Sequence, residues 1–316
     1  MNDSMPLVSV IVPVYNAKPW LQASFVSWES QTYPNIEWIL VDDGSTDGSA
    51  AVCKSWCDSD SSARLFIQKP NGGASSARNE GLRRARGDLV AFWDADDTQD
   101  PNMLAELVAV QQHDNEVSVC AIKRVEQGGK ERDLFTCDEH TSLPQNALFE
   151  WLGEGSSTGP YTKLVPRQLL LDHGIEFDEG TINEDVLWTA RVFGSSDYVC
   201  FTGKPSYQYI ARPGSVTGSF GPKVLDVFEN CHRLEEYIGK NFSSCMEACK
   251  TYCARECWNI AIVSARGANR RAWPDVYLQA RSELKTRQEA LPCPKTVKDR
   301  LLLLLYWSGL YGFLRR

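Results

Sequence analysis

Three apolar runs organise the first hundred residues: LVSVIVPV at 7–14, IEWILV at 36–41 and LVAFW at 89–93. Each run is rich in β-branched or aromatic residues and has the length of a buried strand. Segments with helical spacing separate the runs, and a shorter apolar run at 64–68 predicts one more strand. Strands that alternate with helices of this length predict an α/β fold with a mostly parallel, Rossmann-like sheet and flanking helices.

The rest of the chain is less regular. An apolar segment over Val117–Val125 predicts a strand, and the Gly128-Gly129 pair after it predicts a hairpin turn. The final third of the chain has a helical pattern almost throughout. We therefore expect three parts: an α/β half at 1–100, a mixed half at 101–222 and a C-terminal helical region at 223–316.

The composition excludes several classes of protein. Hydrophobic residues make up 43% and charged residues 23% of the 316 residues, as in ordinary globular proteins. The formal net charge of −8 argues against a protein that binds nucleic acid through its overall field. The sequence lacks the motifs G-x-G-x-x-G and G-x-x-x-x-G-K-[ST], and its G-x-S-x-G match, GSSTG at 155–159, lies outside the predicted strands and so does not form a nucleophile elbow. Dinucleotide-dependent redox chemistry, P-loop hydrolysis and α/β-hydrolase chemistry therefore lose their main support.

Targeting signals and cysteines suggest a cytoplasmic protein. The polar N-terminus MNDSMPLVSV has no basic segment of a signal peptide. The longest apolar run, Leu301–Leu314, is shorter than the ~20 residues that cross a bilayer. Eleven cysteines then indicate a reducing compartment. Four of them recur every fourth residue, and since one straight helix cannot wrap four sulfurs around an ion, we interpret them as core residues: Cys245, Cys249, Cys253 and Cys257.

Carboxylates follow the predicted strands at the points where the strands end. Asp42 and Asp43 follow the second run, and Asp94, Asp96 and Asp97 follow LVAFW. The carboxyl ends of parallel strands meet at one edge of a sheet, where ligands bind. Asp is also common in turns, which leaves the role of the first pair open. Three crowded carboxylates repel one another unless a cation neutralises them, so the second group predicts a Mg²⁺ or Mn²⁺ site shared with substrate phosphates.

A second acidic site lies at Glu184-Asp185, directly before the apolar residues of a predicted helix. Asp185 fits the N-cap of that helix. It equally fits a general base held over a pocket. The spacing alone leaves both interpretations open.

Together these motifs resemble glycosyltransferase family 2. The similarity covers about two thirds of the chain, and its strength comes from the order and spacing of motifs that are individually unspecific. The matching segments are VSVIVPVYN (8–16), ILVDDGSTDGS (39–49), NGGASSARNEGLRRARGDLVAFWDADD (71–97), TKLVPRQLL (162–170), NEDVLWTARVF (183–193) and RPGSVTGS (212–219).

The resemblance implies a GT-A fold and an inverting transfer of a sugar. A nucleotide-sugar-binding half at 1–100 would join an acceptor-binding half with the catalytic base at 101–222. The donor would be a nucleotide-diphosphate sugar, UDP-linked, carrying a hexosyl or N-acetylhexosaminyl group. The acceptor would be a saccharide or lipid-linked saccharide in bacterial surface polysaccharide synthesis. Trp188 and the region of Lys163 are expected to line the acceptor cleft.

The resemblance also implies which residues bind the donor. Pro13 and Tyr15 would line the base pocket, with Tyr15 stacked on uracil. Asp43 would accept a hydrogen bond from the base N–H group. Arg78 and Asn79 match the stretch that approaches the base and the ribose.

The remaining motifs are implied to hold the metal and perform the chemistry. Asp94 and Asp96 match the D-x-D pair, with Asp94 near the ribose and Asp96 on the metal that bridges the diphosphate. This cation would stabilise the leaving diphosphate as a Lewis acid. Asp185 matches the catalytic base, with Glu184 beside it, and would take the proton of the acceptor hydroxyl. Arg212 lies in a loop that closes over the donor, so we expect a phosphate contact there.

The charge is unevenly distributed along the chain. Residues 267–316 carry ten Lys and Arg against four Asp and Glu, so this part has a net charge of +6 and the rest −14. Within it, KTVKDRLLLLLYWSGLYGFLRR at 295–316 has basic residues around an apolar stretch with Tyr306, Trp307 and Tyr311. This pattern predicts a helix that lies in the interface of an anionic membrane, on the inner face of the cell membrane. Packing of the helix on the core is the alternative.

Two other functions are compatible with parts of the sequence. A sugar nucleotidyltransferase also uses a Rossmann-like sheet and carboxylate-bound Mg²⁺, but that class opens with a glycine-rich loop and a basic residue where this chain has PVYNAKPW (13–20). A non-catalytic nucleotide-sugar-binding module would keep the fold and lose one acidic site. Both acidic sites are present here, which favours the transferase.

Overall fold

A computed structural model describes residues 5–126, 128–154, 159–212, 220–291 and Tyr306. The chain divides into two compact units. The first unit contains residues 1–148, 156–180 and 184–212, and the second contains 149–155, 181–183 and 213–316. The three-part division by function stays a prediction.

The described residues form the following regular elements. The strands are β1 Val8–Val14, β2 Ile36–Asp42, β3 Arg64–Gln68, β4 Leu89–Phe92, β5 Thr98–Gln99, β6 Glu116–Val119, β7 Ile122–Val125, β8 Glu131–Phe135, β9 Glu139–Ser142, β10 Lys163–Pro166, β11 Tyr198–Thr202 and β12 Tyr207–Ile210. The helices are α1 Lys18–Glu29, α2 Ser49–Asp58, α3 Ala74–Arg84, α4 Met103–Ala109, α5 Pro144–Glu154, α6 Arg167–Asp172, α7 Asp185–Ser195, α8 Asp226–Asn241, α9 Met246–Ser264, α10 Gly267–Ala272 and α11 Pro274–Thr286.

The first unit is built on a large mixed sheet with the strand order β3-β2-β1-β4-β10-β6-β11-β9. Strands β3, β2, β1 and β4 are parallel, as the alternation of strands and helices predicts. Strand β10 is antiparallel to both of its neighbours, β4 and β6. The α/β fold with a mostly parallel half is therefore confirmed. The antiparallel insertion of β10 places the start of that strand at the carboxyl end of β4.

The predicted strand over Val117–Val125 is wrong as one element. It divides at Cys120-Ala121 into β6, which belongs to the large sheet, and β7, which belongs to a small sheet with the order β5-β12-β7-β8. The division has a hydrogen-bonding cause, because Cys120 N donates to Thr162 O at 2.9 Å and Ala121 N donates to Lys204 O at 2.9 Å. The hairpin at Gly128-Gly129 is confirmed, since both glycines have positive φ and β7 pairs with β8 in antiparallel.

An aromatic cluster fixes one face of the large sheet. Trp38 of β2 contacts Trp28 of α1 and Trp93 after β4, each with ring centroids 5.5 Å apart. Such pairs contribute about 0.5–1.5 kcal/mol each beyond their burial. On the other face α3 approaches β1 closely, because Gly81 has no Cβ that would overlap Ile11. The elements that carry the acidic residues are thus held on a rigid frame.

Four helices, α8 to α11, make up most of the described part of the second unit. The helical pattern of the final third of the sequence is confirmed over α8–α11. The cysteine stripe of α9 is buried, with Cys253 and Cys257 beside Cys231 of α8, whose carbonyl accepts from Cys253 Sγ at 3.7 Å. This placement agrees with the interpretation of these thiols as core residues.

The C-terminal stretch at 295–316 lies outside the described residues, except for Tyr306. Its side chain is buried and packs edge-on against Trp258 of α9, with ring centroids 5.4 Å apart. This contact is the one that packing on the core predicts for Tyr306, and it differs from the headgroup position that a membrane-interface helix predicts. In the part of the chain that the structure describes, no helix is both long and apolar enough to cross a bilayer.

Candidate active site

Three aspartates follow β4 at the carboxyl end of the parallel strands, as the sequence predicts. Asp97 is buried, and its two oxygens accept hydrogen bonds from Tyr207 Oη at 2.8 Å and Ile210 N at 2.9 Å. The side chains of Asp94 and Asp96 are 26% and 40% exposed. Asp97 therefore anchors the small sheet to this edge, while Asp94 and Asp96 present carboxylate oxygens to solvent.

Two arginines contact this acidic group. Arg78 of α3 donates from Nη2 to Asp94 Oδ1 at 3.0 Å. Arg212, beyond β12, forms an ion pair with Asp96 and donates to Asp97 Oδ1 at 3.1 Å. Its guanidinium also lies over the ring of Trp20, 4.6 Å from the ring centroid. Guanidinium groups therefore supply part of the positive charge that the crowded carboxylates require.

Arg78 joins the two acidic sites that the sequence separates by almost ninety residues. Its Nη1 donates to Glu184 Oε1 at 3.0 Å, while Nη2 holds Asp94. The side chain is 8% exposed. Asp185 acts electrostatically on both Arg78 and Asp94. The structure thus brings Arg78, Asp94, Glu184 and Asp185 together in the first unit.

Burial dominates the ionisation of these groups. Together with the charges of the neighbouring Asp94 and Asp96, burial raises the pKa of Asp97 to about 8. It also raises the pKa of Asp94 and of Glu184, against the opposing effect of the Arg78 guanidinium. Burial alone would lower the pKa of Arg78, but the carboxylates of Asp94 and Glu184 raise it overall. The guanidinium therefore offsets part of the effect of burial on these carboxyl groups.

Helix α7 begins at Asp185, which excludes the N-cap interpretation of that residue. Glu184 holds the N-cap position, and its side chain makes no capping hydrogen bond. Asp185 is partly buried in the first turn, where the positive end of the helix dipole favours a carboxylate. A side-chain carboxyl group is thus held at the start of α7, close to Glu184.

The residues predicted to bind the base lie at the carboxyl ends of β1 and β2. Tyr15 is 54% exposed, and Pro13 is partly buried within β1. Asp43 is buried, and its oxygens accept from Lys69 Nζ at 2.7 Å and from the backbone N–H groups of Gly72 and Gly73 at 2.9 and 2.7 Å. A carboxylate has about four lone-pair positions, so Asp43 shapes the loop before α3 and keeps capacity for one more donor.

Three residues predicted near the ligands are instead buried. Both polar atoms of the Asn79 amide bond the backbone of Phe177, each at 2.9 Å, so Asn79 fixes that segment. Trp188 stacks on Phe177 with ring centroids 4.7 Å apart and is 1% exposed. Lys163 is also 1% exposed. The side chains of Trp188 and Lys163 are therefore enclosed, and the expectation that Trp188 and the region of Lys163 line the acceptor cleft stays a prediction.

The donor set at Asp94 and Asp96 fits a divalent cation. Within the described residues, no three or more His, Cys, Asp or Glu side chains are arranged to hold a metal ion. Mg²⁺ in phosphate-transfer sites is commonly held by one or two carboxylates, with substrate phosphates and water completing the shell. Two partly exposed aspartates at a strand end meet that requirement.

Comparison with known proteins identifies the family. The sequence model of glycosyl transferase family 2 matches residues 9–167. The chain belongs to glycosyltransferase family 2. This glycosyltransferase is 30% identical over 255 residues to the uncharacterized glycosyltransferase YibD of Escherichia coli strain K12, which covers 77% of this chain and 74% of the relative.

Solved structures of other glycosyltransferases share the fold. S. aureus TarS 1–349 in complex with UDP-GlcNAc superposes with a TM-score of 0.73 at 21% identity, over 96% of this chain and 88% of that one. The mannosyltransferase PcManGT of Pyrobaculum calidifontis, in complex with GDP-Man and Mn²⁺, superposes with a TM-score of 0.57 at 18% identity, over 99% and 86%. The GT-A fold that the motifs imply is therefore confirmed.

Proposed function

We propose that this glycosyltransferase moves a hexosyl or N-acetylhexosaminyl group from a UDP-linked donor to a hydroxyl of a saccharide or lipid-linked saccharide, with inversion at the anomeric carbon. The observation that carries the proposal is the bridge from Asp94 through Arg78 to Glu184, which places the D-x-D pair beside Asp185. A donor phosphate site and a proton acceptor are both needed for the transfer, and here they share one buried arginine.

The donor is proposed to bind at the carboxyl ends of β1, β2 and β4. The exposed ring of Tyr15 is available to stack on uracil, beside Pro13, and Asp43 retains capacity for the base N–H group. Arg78 and Asn79 support this half by positioning carboxylates and the Phe177 segment, and Arg212 is proposed to contact a donor phosphate. TarS binds UDP-GlcNAc, which supports a UDP donor for this relative of the same fold.

Asp94 and Asp96 are the residues proposed to hold Mn²⁺ or Mg²⁺. A bound cation would supply Lewis-acid stabilisation of the departing diphosphate. The presence of Mn²⁺ with PcManGT supports the assignment. Since Arg212 pairs with Asp96, a diphosphate held through a cation on Asp96 would also lie near the guanidinium.

Asp185 is proposed to act as the general base. As the acceptor oxygen attacks the anomeric carbon, its proton passes to the Asp185 carboxylate, and the bond between that carbon and the diphosphate oxygen breaks with its electron pair going to the diphosphate. Attack opposite the leaving group in a single displacement inverts the carbon. Glu184 is held by Arg78, so it is proposed to orient the first turn of α7 while Asp185 receives the proton.

A donor screen by thermal shift tests this function. UDP and UDP-sugars, with Mn²⁺, are expected to raise the melting temperature by about 5 °C at a hundredfold excess over the dissociation constant, because a ligand at that excess stabilises the native state by about 2.7 kcal/mol. The Asp96→Asn variant should lose the part of the shift that depends on Mn²⁺. No response to any nucleotide sugar, with or without the metal, would refute the proposal.

The stacking role of Tyr15 is tested by calorimetry. Tyr15→Ala is expected to weaken UDP binding by roughly tenfold to a hundredfold, since base–aromatic stacking contributes about 1–3 kcal/mol. Tyr198→Ala is the matched control, because Tyr198 is an exposed tyrosine at the start of β11. Equal affinities of the two variants would contradict the stacking assignment.

We also propose that the basic C-terminal third contacts the anionic inner face of the cell membrane. The support from described residues is the corner around α10, where Arg266, Arg270 and Arg271 are exposed and Trp273 is 40% exposed. Basic side chains beside an indole are typical of a membrane-facing surface. This surface adds to the charge of the stretch at 295–316.

Vesicle sedimentation tests the membrane proposal. The double variant Arg266→Gln/Arg271→Gln is expected to bind phosphatidylserine-containing vesicles about thirtyfold more weakly, because each basic residue near the surface contributes about 1 kcal/mol. Arg83→Gln/Arg84→Gln removes the same charge from α3 of the first unit and serves as the control. Binding that is equal for anionic and neutral vesicles, or unchanged in the α10 variant, would contradict the proposal.

A further inference from the structure

Lys163 begins strand β10 in the interior of the large sheet. It lies opposite Val119 of β6, and the next residue, Leu164, lies opposite Ala91 of β4. Because β10 runs antiparallel to β4, the start of β10 is at the carboxyl end of β4, where Asp94 and its neighbours follow. The lysine is thus placed at the catalytic edge of the sheet, on a rigid strand.

The ammonium group is enclosed on all the sides that the structure describes. Nζ donates to Gly159 O at 2.8 Å and lies 5.7 Å from the ring centroid of Phe193 of α7. The titratable groups that act on it are the Asp185 carboxylate of α7 and the Cys120 thiol at the end of β6. Burial raises the pKa of Cys120 to about 12, so the thiol is neutral at neutral pH and Asp185 is the carboxylate that acts on the ammonium.

A lysine at this position is not required by packing. Buried charges are costly, and replacing them with apolar residues of similar volume is often neutral or stabilising. The next two residues of the strand, Leu164 and Val165, are apolar and fully buried. A cationic group kept in such a place therefore calls for an explanation in the chemistry beside it.

We propose that Lys163 is a positioning residue for the general base: its buried ammonium orients the Asp185 carboxylate toward the acceptor hydroxyl. The proposal rests on the assignment of Asp185 under the proposed function. It adds Lys163 to the residues of that site, on the basis of the register of β10 and the burial of the ammonium group. The hydrogen bond from Nζ to Gly159 O holds the ammonium in one position, from which it can orient Asp185.

The charge on Lys163 makes the proposal testable by pH. Burial lowers the pKa of Lys163 to about 7, with the Asp185 carboxylate opposing the decrease. The ammonium is therefore present below pH 7 and is lost as the pH rises through about 7. If this charge positions Asp185, kcat must fall on the alkaline side with a midpoint near pH 7, while the KM for the donor stays constant.

Two substitutions separate charge from packing. Lys163→Met is expected to lower kcat at pH 6 by at least about tenfold, because a small displacement of a catalytic group can cost up to about a hundredfold, and to remove the alkaline fall. Lys163→Arg keeps a charge that does not titrate, so its activity should persist above pH 8. An alkaline fall that is the same in all three proteins overturns the proposal. A rate that instead increases through pH 7 in the wild type also overturns it, since the neutral amine would then be the active form.

Unfolding measurements keep the proposal testable without a known acceptor. The decreases in melting temperature caused by Lys163→Met and Asp185→Asn are expected to be non-additive. The decrease in the double variant should be smaller than the sum of the two single decreases. Additive shifts overturn the inference even if the enzyme transfers sugar. Non-additive shifts in a protein that responds to no nucleotide sugar would refute the proposed function and leave the Lys163–Asp185 pairing intact.

Discussion

Asp185→Asn is expected to lower kcat by about 10²–10⁴-fold, the range that a positioned general base contributes. Asparagine has nearly the same shape as aspartate but cannot take the proton of the acceptor hydroxyl. The side chain lies in the first turn of α7 and is only partly buried, so the helix should keep its position. The measurement is kcat at saturating donor and acceptor, together with the calorimetric dissociation constant of the donor, which should change less than twofold.

Glu184→Gln is the variant that separates the two adjacent carboxylates. Glu184 accepts from Arg78 Nη1 at 3.0 Å, so its loss should lower the melting temperature and reduce kcat less than Asp185→Asn does. Asp185→Asn should have the opposite profile, with a large effect on kcat and a small one on melting. An Asp185→Asn enzyme with full activity, or a greater loss of kcat in Glu184→Gln, would refute the assignment of the base to Asp185.

The parallel half of the fold could be predicted because its strands are buried on both faces. A strand such as β1, with residues Val8–Val14 almost wholly buried, reads as a continuous apolar run whose type does not depend on its partners. The division of Val117–Val125 could not be predicted in this way. It depends on hydrogen bonds to Thr162 and Lys204, residues about forty and eighty positions away, and local periodicity carries no information about them.

The same distinction explains which parts of the site could be predicted. Asp94 and Asp96 follow a strand, so sheet geometry alone places them at the ligand edge. The ion pair from Arg78 to Glu184 spans 106 positions and depends on the close approach of α3 to β1. A signal was present in the sequence, since Arg78 lies among the small residues of ASSARNEG, on a helix face with few other large side chains. Burial of that face was the information that motif matching lacked.

Lys163 shows that a correct motif does not fix the surroundings of a side chain. The sequence places it within TKLVPRQLL, and the region around it is expected to line the acceptor cleft, whereas lysine side chains are mostly exposed and this one is buried. The apolar residues that follow it were the sign of a central strand. Only the antiparallel register of β10 against β4 shows that its first side chain is enclosed beside Asp185.

Arg78→Met is expected to reduce the free energy of unfolding by about 3–5 kcal/mol, which corresponds to a fall in the melting temperature of about 10 °C. The guanidinium bridges Glu184 and Asp94 with two bonds of 3.0 Å, and it is the group that opposes the effect of burial on the pKa of both carboxyls. Methionine has a similar length but leaves two carboxylates buried without that positive charge. Differential scanning calorimetry at pH 7 measures the loss, and Arg83→Met, on the exposed side of α3, is the matched control with little expected effect.

The loss of stability in Arg78→Met should become smaller as the pH falls. Without the guanidinium, burial raises the pKa of Glu184 above its unfolded value with less opposition, and a group whose pKa is raised in the folded state stabilises the protein below the unfolded value and loses that contribution as pH rises. The melting difference between Arg78→Met and the wild type should therefore shrink from pH 7 to pH 5. Adding Glu184→Gln to Arg78→Met removes one of the stranded charges and should recover part of the loss at pH 7. If Arg78→Met has the same melting temperature as the wild type at pH 7, the bridge does not hold the two acidic sites together, and the coupling between the proposed metal-binding pair and the proposed base must come from the backbone alone.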